Sequence, residues 1–312
     1  MSLYLVTGGA GFIGAHLVER LLGQGETVRV LDNLDTGRKE NLAHCLKEID
    51  FWKGDIRDKE TVKKAMKGVD YVLHIAAQRS VPRSIDDPLS NNEVNVQGTL
   101  NVLWWAKETG VRRVVCASSS SVYGDSQAMP LKEGYTPSPL SPYAISKLVG
   151  EYYCEVFYKI YGLETVSLRY FNVFGPRQDP CSQYANVVPL FIKAGLDGRQ
   201  VEVHWDGRQS RDFTYIEDTM NATLLAATVP GVAGKVFNVG CGKDYSILDL
   251  LKTVERIIGR PISYTHTGAR KGDVRRTLAD ISLAERLLGY KVSIGFEEGM
   301  EKTTEWFRQG RR

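Results

Sequence analysis

The sequence predicts an α/β fold in which a doubly wound parallel sheet is followed by a smaller α/β domain that binds the substrate. Two observations support this prediction: apolar β-branched runs alternate with longer segments of helical period, and the alternation breaks down after about Phe171. Such alternation builds a parallel sheet with helices on both faces. We therefore expect a first domain over residues 1–172 and a second over residues 173–312, with part of 212–240 packing back on the first.

The predicted elements follow from these patterns in chain order. Strands are predicted where short runs are apolar and β-branched, and helices where apolar residues recur every three or four positions. The strands of the first domain are 3–7, 27–31, 71–75, 111–117 and 165–171, and its helices are 12–22, 89–107 and 143–161. The second domain has strands at 201–204 and 236–239 and helices near 216–228 and 247–258.

Composition excludes several classes of protein. The chain has 312 residues, of which 43% are hydrophobic and 25% are charged, as is typical of a globular protein. The formal net charge is only +3 and basic residues are mixed with acidic ones, which argues against nucleic acid or an anionic membrane as a partner. The apolar runs are strand-sized, so we expect no signal peptide, no membrane helix and a cytoplasmic location. The five cysteines lack CxxC spacing, so neither a disulfide framework nor a metal site is predicted.

A glycine-rich turn follows the first strand, and its glycines Gly8, Gly11 and Gly14 are three residues apart. Gly8 permits a tight turn, Gly11 lets a pyrophosphate approach the backbone, and Gly14 allows the next helix to pack closely on the strand. The helix begins at Phe12 and Ile13, where free N–H groups can bind phosphate. The pattern predicts a Rossmann-type dinucleotide site.

A carboxylate stands at the end of the second strand. Asp32 can accept hydrogen bonds from both hydroxyls of an adenosine ribose, which favours NAD because a 2′-phosphate would meet like charge. Arg38 and Lys39 lie a few residues further on and could reach such a phosphate, so NADP stays open. Gly54, Asp55 and Ile56 end a further strand between those at 27–31 and 71–75. A carboxylate there can bind an adenine edge, although Gly-Asp after a strand is also an ordinary turn.

Tyr143 and Lys147 are four residues apart, so they lie on one face of a helix that Ser141-Pro142 can start. The Lys147 charge can stabilise a Tyr143 phenolate and bring a group of unperturbed pKa about 10 toward the working pH. Such a pair is usually a surface pair, but here a serine run at 118–121 ends the preceding strand, at the sheet edge where ligands bind. A serine there can share a proton with Tyr143 and a substrate hydroxyl, although four serines also make an ordinary polar loop.

Together these motifs resemble the nucleotide-sugar branch of the extended short-chain dehydrogenase/reductases, and within it the UDP-glucose and UDP-N-acetylglucosamine 4-epimerases. The resemblance covers essentially the whole chain. It is carried by TGGAGFIG at 7–14, Asp32, HIAA at 74–77, NVQGT at 95–99, SSSSVYG at 118–124, YAISK at 143–147 and RYFNVFGPR at 169–177. It implies a Rossmann domain that holds NAD tightly, a second domain that binds a UDP-sugar, and a homodimer that pairs the helices 89–107 and 143–161.

The resemblance also assigns roles to individual residues. The implied catalytic residues are Tyr143, Lys147 and Ser119. The implied cofactor contacts are Gly8, Gly11, Phe12, Ile13, Gly14, Asp32, Asn33, Gly37, Asp55, Ile56, Ala76, Ala77, Gln78, Asn95, Tyr143, Lys147 and Tyr170. The implied substrate contacts are Ser80, Ser119, Ser120, Ser121, Tyr143, Asn172, Asn186, Val187, His204, Arg211, Arg270, Asp273 and Thr277, of which the two arginines would clamp the diphosphate.

The implied activity is an isomerase of galactose metabolism or polysaccharide biosynthesis, which interconverts UDP-glucose and UDP-galactose through a transient 4-keto sugar. Thr277 stands where a tyrosine would fill the space of an acetamido group, so the N-acetylated pair is included. A dehydratase or decarboxylase is disfavoured because Ser120 and Ser121 stand where those enzymes carry acidic residues. A UDP-glucuronate 4-epimerase stays open because Arg79 can meet a carboxylate, and so does a non-catalytic NAD-binding protein.

Overall fold

The structure is a computed structural model, and it describes residues 1–180, 186–269 and 272–310. The strands are β1 Leu3–Thr7, β2 Thr27–Asp32, β3 Asp50–Lys53, β4 Tyr71–His74, β5 Arg113–Ser119, β6 Glu164–Tyr170, β7 Val201–His204, β8 Ser210–Asp212, β9 Lys235–Val239, β10 Asp244–Ser246, β11 Tyr264–Thr267 and β12 Arg276–Thr277. The α-helices are α1 Phe12–Gly23, α2 Lys59–Ala65, α3 Val81–Asp86, α4 Pro88–Asn92, α5 Gly98–Glu108, α6 Pro142–Tyr161, α7 Val187–Asp197, α8 Ile216–Thr228, α9 Ile247–Ile258, α10 Ser282–Leu288 and α11 Phe296–Arg308. Among these helices, none is both long and apolar enough to cross a bilayer.

One large parallel sheet organises the fold. Its seven strands, all within the described residues, have the order β3-β2-β1-β4-β5-β6-β9, and each neighbouring pair is parallel. The strand order reverses between β1 and β4, and in open α/β sheets the crevice at such a point is where ligands bind. The α/β fold class that the sequence predicts, a doubly wound parallel sheet of the Rossmann type, is confirmed.

Helices cover both faces of this sheet, so both faces are buried. Successive side chains of a strand point to opposite faces and therefore contribute to two different cores. In β1, Leu5 belongs to the core that α2, α5 and α6 cover. Its neighbours Tyr4 and Val6 belong to the core that α1 and α8 cover on the other face. A sheet packed from both sides holds the carboxyl ends of its strands along one fixed edge.

The chain after Phe171 is divided between the large sheet and two small ones. Strand β8 pairs with antiparallel β10 and parallel β12, and β7 pairs with β11. Strand β9 pairs with β6, and α8 packs against β5 and β6. Helix α8 and strand β9 lie within residues 212–240, the part of the chain that the sequence predicts to pack back on the first domain. The domain boundary at residue 172 stays a prediction.

The predicted helix 89–107 is divided in the structure. Helix α4 is followed by a π-helical turn, Glu93–Gln97, before α5 begins at Gly98. The turn contains Asn95, whose side chain bonds to neighbouring segments, and the Asn95 carbonyl accepts the Thr99 hydroxyl proton at 2.5 Å. Tertiary hydrogen bonds therefore override the regular helical pattern here, as is common for π-turns at functional sites.

Candidate active site

A cavity of about 960 Å³ lies at the carboxyl-terminal edge of the large sheet. Its walls come from the turns after β1, β2, β4 and β5 and from segments that follow Phe171. Every described residue that the sequence predicts to bind cofactor or substrate lines this cavity, with the exception of Asn95. Arg270 lies outside the described residues. The structure therefore brings the predicted cofactor and substrate residues together in one space.

The turn between β1 and α1 forms one end of the cavity. Gly8 has a φ of 71°, and a Cβ added there would lie 2.8 Å from the Cα of Ala76. At Gly14 a Cβ would lie 2.7 Å from the Cα of Gly9, so only glycine lets α1 start this close to β1. The N-cap residue of α1 is Gly11, which has no side chain that could cap the helix, so N–H groups of the first turn stay available. This geometry fits a dinucleotide diphosphate.

Asp32 is buried beside this turn. Its two carboxylate oxygens accept hydrogen bonds from the N–H groups of Ala10 at 2.9 Å and Leu34 at 2.8 Å. Burial raises the pKa of Asp32, and these two bonds oppose the shift. Arg38 forms an ion pair of 2.7 Å with Asp179, so its charge is already compensated. A carboxylate with no cation beside it fits ribose hydroxyls better than a 2′-phosphate.

A second carboxylate follows β3. Asp55 accepts a hydrogen bond from Asn33 at 2.9 Å and pairs with Arg57 at 2.8 Å. The hydrogen bonds from Arg57 lower the pKa of Asp55 to about 2. Asp55 and Asn33 therefore form a fixed polar group where the sequence predicts the adenine end of the cofactor.

The predicted catalytic tyrosine and lysine lie on one face of α6. The Nζ of Lys147 is 5.9 Å from the centre of the Tyr143 ring and donates to the carbonyl of Ala117 at 2.8 Å. Burial lowers the pKa of Lys147 to about 8. Burial also raises the pKa of Tyr143, and the Ser119 hydroxyl and the Arg79 charge oppose that shift. Burial therefore opposes the phenolate form of Tyr143, whereas Ser119 and the Arg79 charge favour it.

Ser119 ends β5 and starts the short turn that carries the other serines. Its Oγ accepts hydrogen bonds from the backbone N–H of Ser121 at 3.2 Å and from the Ser121 hydroxyl at 2.8 Å. Because that oxygen already accepts two bonds, the Ser119 proton is free to point toward Tyr143, and the Ser119 hydroxyl opposes the rise in the pKa of Tyr143. Ser118, on the other side, donates to the buried carboxylate of Glu151 at 2.5 Å, which fixes the strand end. The arrangement can exchange a proton with a ligand hydroxyl.

Asn95 is not among the residues that line the cavity, and its role as a cofactor ligand stays a prediction. The Gln78 backbone N–H donates to Asn95 Oδ1 at 2.8 Å, and Asn95 Nδ2 donates to the Gln78 carbonyl at 3.1 Å. Asn95 Nδ2 also donates to the Ser146 hydroxyl at 3.0 Å. A buried amide satisfies its polar atoms with the nearest partners, which here belong to the protein. Asn95 therefore holds Gln78 in place and lies behind the wall.

The opposite wall holds predicted substrate residues. Asn172 donates to the Thr277 hydroxyl at 3.2 Å, and Thr277 is only 5% exposed. Thr277 lies on β12 directly beside Arg211 of β8, and Arg211 forms an ion pair with Asp273. The wall thus offers a guanidinium, a carboxylate, an amide and a hydroxyl within one small region, which suits a phosphorylated and hydroxylated ligand.

Several other predicted contacts are held by the protein itself. The Tyr170 hydroxyl is 2.8 Å from Thr223, and Nδ1 of His204 is 2.6 Å from the hydroxyl of Thr267. Asn186 is the N-cap residue of α7 but makes no side-chain capping bond. Tyr170 and His204 thus contribute rings that hydrogen bonds hold in place in the cavity wall.

Two glutamines line the cavity although no motif indicated them. Gln178 and Gln209, like Gln78, each have a buried side-chain carbonyl oxygen that accepts no hydrogen bond from the part of the chain that the structure describes. A buried acceptor without a partner destabilises a fold by about 1–3 kcal/mol, so these oxygens are available to accept hydrogen bonds from water or from a ligand in the cavity. Sequence reasoning missed Gln178 and Gln209 because both lie in irregular loops, where periodicity carries no information.

The comparisons with known proteins agree with this geometry. The model of the NAD dependent epimerase/dehydratase family matches residues 4–240. The chain is 40% identical over 308 residues to the UDP-glucose 4-epimerase of Mycolicibacterium smegmatis, covering 97% of this chain and 98% of that protein. The crystal structure of UDP-glucose 4-epimerase with UDP-glucose from Thermotoga maritima has a TM-score of 0.95 at 37% identity, covering 99% and 100% of the two chains. UDP-N-acetylglucosamine 4-epimerase from Methanobrevibacter ruminantium, in complex with UDP-N-acetylmuramic acid, has a TM-score of 0.94 at 39% identity and covers 99% of each chain. This protein therefore belongs to the NAD dependent epimerase/dehydratase family, and NAD is its cofactor.

Proposed function

We propose that this chain is a UDP-hexose 4-epimerase that keeps NAD bound throughout its catalytic cycle. The observation that carries the proposal is the group formed by Ser119, Tyr143 and Lys147 in a cavity whose other wall offers Arg211 and Asp273. The relatives named above act on or bind UDP-sugars, which supports the same class of substrate here.

The residues that would hold NAD are those of the first wall. Gly11 and Gly14 would accommodate its diphosphate, Asp32 its adenosine ribose and Lys147 its nicotinamide ribose. When bound, NAD supplies a hydride acceptor that takes the hydrogen from C4 of the sugar and later returns it.

The proton chemistry belongs to the side chains. Tyr143 takes the proton from the sugar O4 as a phenolate, and the Lys147 charge stabilises that phenolate. Ser119 donates its single hydroxyl proton to the Tyr143 phenolate before the transfer, and to the sugar oxygen once Tyr143 is protonated. The sugar would then turn about its diphosphate and present its other face to the cofactor, and Tyr143 would return the proton to O4. Because no net oxidation results, the same cofactor serves every turnover.

The proposal includes the N-acetylated sugars. Thr277 is buried in the cavity wall, where its small side chain leaves room that a tyrosine would fill. One relative is named as a UDP-N-acetylglucosamine 4-epimerase, which supports this choice. Arg211 and Asn172, with Arg270 as the further clamp that the sequence predicts, would bind the UDP portion and leave the hexose able to turn.

A second candidate is 4-epimerisation of UDP-glucuronate. It is favoured by Arg79, which lines the cavity and takes part in none of the ion pairs of the described residues. A dehydratase is disfavoured because Ser120 and Ser121 place hydroxyls, with no carboxylate, at the turn after β5.

The assay that tests the proposal supplies purified protein with UDP-glucose, UDP-N-acetylglucosamine and UDP-glucuronate in separate reactions. We expect the two 4-epimers of the neutral sugars, resolved by chromatography, without added NAD. Conversion of UDP-glucuronate alone would transfer the assignment to the second candidate. Loss of water or carbon dioxide from any substrate would contradict an epimerase.

We also propose a homodimer, because α4, α5 and α6 expose large apolar side chains such as Leu89, Trp104 and Tyr152. A cytoplasmic location and a role in galactose metabolism or polysaccharide biosynthesis stay predictions from the sequence.

A further inference from the structure

Arg79 is a cation in the active-site cavity that forms no ion pair with the residues that the structure describes. It lies between β4 and α3, lines the cavity and is accessible to solvent there. Within the described residues, no ion pair includes Arg79. The carboxylate that acts on it, Asp179, already pairs with Arg38 at 2.7 Å. A guanidinium in this position is left to interact with whatever anion forms inside the cavity.

The backbone on both sides of Arg79 is fastened to the start of α6. On one side, Gln78 is bonded through Asn95 to the hydroxyl of Ser146, which in turn donates to the carbonyl of Tyr143 at 2.8 Å. On the other side, the backbone N–H of Tyr143 donates to the hydroxyl of Ser84 at 3.1 Å. The loop that carries Arg79 therefore has a fixed position relative to the helix turn that carries Tyr143.

Arg79 is exposed to the solvent of the cavity, so its charge is available to an anion that binds or forms there. Its surroundings lower the pKa of Arg79 through burial, and the nearby Tyr143 oxygen acts in the opposite direction. Guanidinium remains charged even after such a shift, so Arg79 supplies a permanent positive charge. An anion that forms at Tyr143 during turnover would be attracted to this charge.

We propose that Arg79 is a positioning residue that, together with Lys147, stabilises the anionic form of Tyr143. The inference rests on the proposed function, in which Tyr143 accepts the proton of the sugar hydroxyl. That proton moves from the sugar oxygen to the Tyr143 oxygen, and Arg79 neither gains nor loses one. The groups that face the phenol among the described residues are Ser119 from the end of β5, Lys147 from α6 and Arg79.

The test compares Arg79→Met, which removes the charge at similar length, with Arg79→Lys, which keeps it. The kcat of each holoenzyme with UDP-glucose is measured against pH. In Arg79→Met we expect the acid limb, which reports the pKa of Tyr143, to move upward by about one pH unit, because a nearby opposite charge shifts a pKa by roughly that amount or more. At pH values below this limb, the kcat of Arg79→Met should be roughly tenfold lower than that of wild type, with KM little changed. Arg79→Lys should keep most of the wild-type kcat.

A second measurement does not depend on turnover. The near-ultraviolet absorbance of phenolate is titrated in each protein, and the curve of its Tyr143→Phe counterpart is subtracted. The ionisation of Tyr143 should move to higher pH in Arg79→Met and stay near the wild-type value in Arg79→Lys. Arg79→Gln replaces the methionine variant if the latter does not fold.

Three outcomes would overturn the inference. The first is an unchanged Tyr143 titration in Arg79→Met. The second is a higher KM for UDP-glucuronate with no movement of the acid limb, which would assign Arg79 to a substrate carboxylate. The third is loss of bound NAD with an unchanged titration, which would assign it to the cofactor. If the wild type converts no UDP-sugar, the proposed function fails, but the difference titration still decides whether Arg79 acts on Tyr143.

Discussion

The two central side chains of the site are held in surroundings that oppose their reactive forms. Burial raises the pKa of Tyr143 and lowers that of Lys147 to about 8, so burial shifts each residue toward its neutral form. A phenolate beside an ammonium relieves both effects, because each charge lowers the cost of the other. The hydrogen bond from Ser119 favours the phenolate further.

Tyr143→Phe removes the proposed proton acceptor and keeps the ring. We expect a folded protein that still binds NAD and UDP-sugar but turns over at least roughly a hundredfold more slowly. Turnover is followed by chromatography, and folding by thermal unfolding. Tyr152→Phe, an exposed tyrosine on the same helix, is the matched control and should be unaffected. Near-normal turnover by Tyr143→Phe would reject its assignment as the acceptor.

His74 illustrates how a hydrogen-bond chain sets the tautomer of a buried ring. Burial lowers the pKa of His74 to about 3, so the ring is neutral near pH 7. Its Nδ1 is 2.7 Å from the hydroxyl of Thr7, and its Nε2 is 3.0 Å from the hydroxyl of Thr99. The Thr99 proton is donated to the Asn95 carbonyl, so Thr99 accepts from Nε2, and Nδ1 of the neutral ring accepts from Thr7.

His74 should make the folded state sensitive to acid. Its pKa of about 3 lies below the ordinary value of 6.5, so as pH falls the unfolded chain binds the proton first. The stabilisation is complete above about pH 6.5 and is lost as pH falls toward 3, by up to about 1.4 kcal/mol per pH unit. Denaturant unfolding of wild type and His74→Gln across this range measures the effect. Equal pH slopes for the two proteins would contradict it.

Thr277→Tyr should separate the two pairs of neutral sugars. Thr277 is buried against Asn172, so a ring in its place must occupy cavity volume. Overpacking of this kind costs roughly 1–3 kcal/mol, and here it weakens the binding of the N-acetylated sugar, whose acetamido group needs the space. We expect kcat/KM for UDP-N-acetylglucosamine to drop while that for UDP-glucose is kept.

The control for this variant is Thr277→Ser, which keeps the hydroxyl, adds no volume and should accept both sugars. The prediction fails if wild type ignores UDP-N-acetylglucosamine, or if Thr277→Tyr loses both activities in equal proportion.

At the scale of elements, local sequence indicated most helices and strands but not where they are interrupted. The helix period over 12–22 and the glycines before it suffice to predict α1, because both signals are local. The division of 89–107 into α4, a π-turn and α5 depends on Asn95 bonding to Gln78 and Ser146, which are distant in sequence. For the same reason, the motif locates Asn95 near the site but cannot tell whether it faces the cavity or lies behind it.

The end of β2 and the turn after β1 act as one unit, because Asp32 accepts the N–H of Ala10. Asp32→Ala should therefore weaken the retention of NAD, because it removes the acceptor for the ribose hydroxyls. It should also reduce any preference for NAD over NADP, because it removes the negative charge that repels a 2′-phosphate. Released cofactor is quantified by absorbance, and each cofactor is tested for restoring turnover to stripped enzyme. Asp32→Asn is the control: it keeps a hydrogen-bond acceptor and loses the charge. Unchanged cofactor content and preference in Asp32→Ala would leave Asp32 a polar residue at a strand end.

At the scale of the molecule, the cavity exists because two parts of the chain meet over the sheet edge. Strand β9 pairs with β6, so the segment after Phe171 is tied to the sheet that carries Tyr143. Arg38 and Asp179 link the two walls at 2.7 Å. The sequence predicts a strand at 236–239, but a short strand pattern does not reveal its partner, and pairing across such a distance is set by the whole fold.

One surface of the molecule remains apolar after these parts have met. Along α6, Ile145, Tyr152, Val156 and Ile160 are all exposed, and Tyr152 retains 54% of its surface. Their spacing of seven, four and four residues places them on one helix face. Trp104 of neighbouring α5 is also exposed, so the apolar surface extends over two helices. A continuous patch of this kind indicates contact with another molecule, and a second copy of the chain is the occupant that we propose.

Tyr152→Glu should convert the proposed dimer into a monomer. In a symmetric dimer each helix face meets its own copy, so one substitution places a carboxylate in both halves of the contact, where charge is desolvated. Analytical ultracentrifugation of the holoenzyme measures the mass. Tyr264→Glu is the control, because that tyrosine is 42% exposed on β11, away from the helix face, and should leave the mass unchanged. A wild type that sediments as a monomer, or a Tyr152→Glu variant that remains dimeric, would exclude this face as the interface.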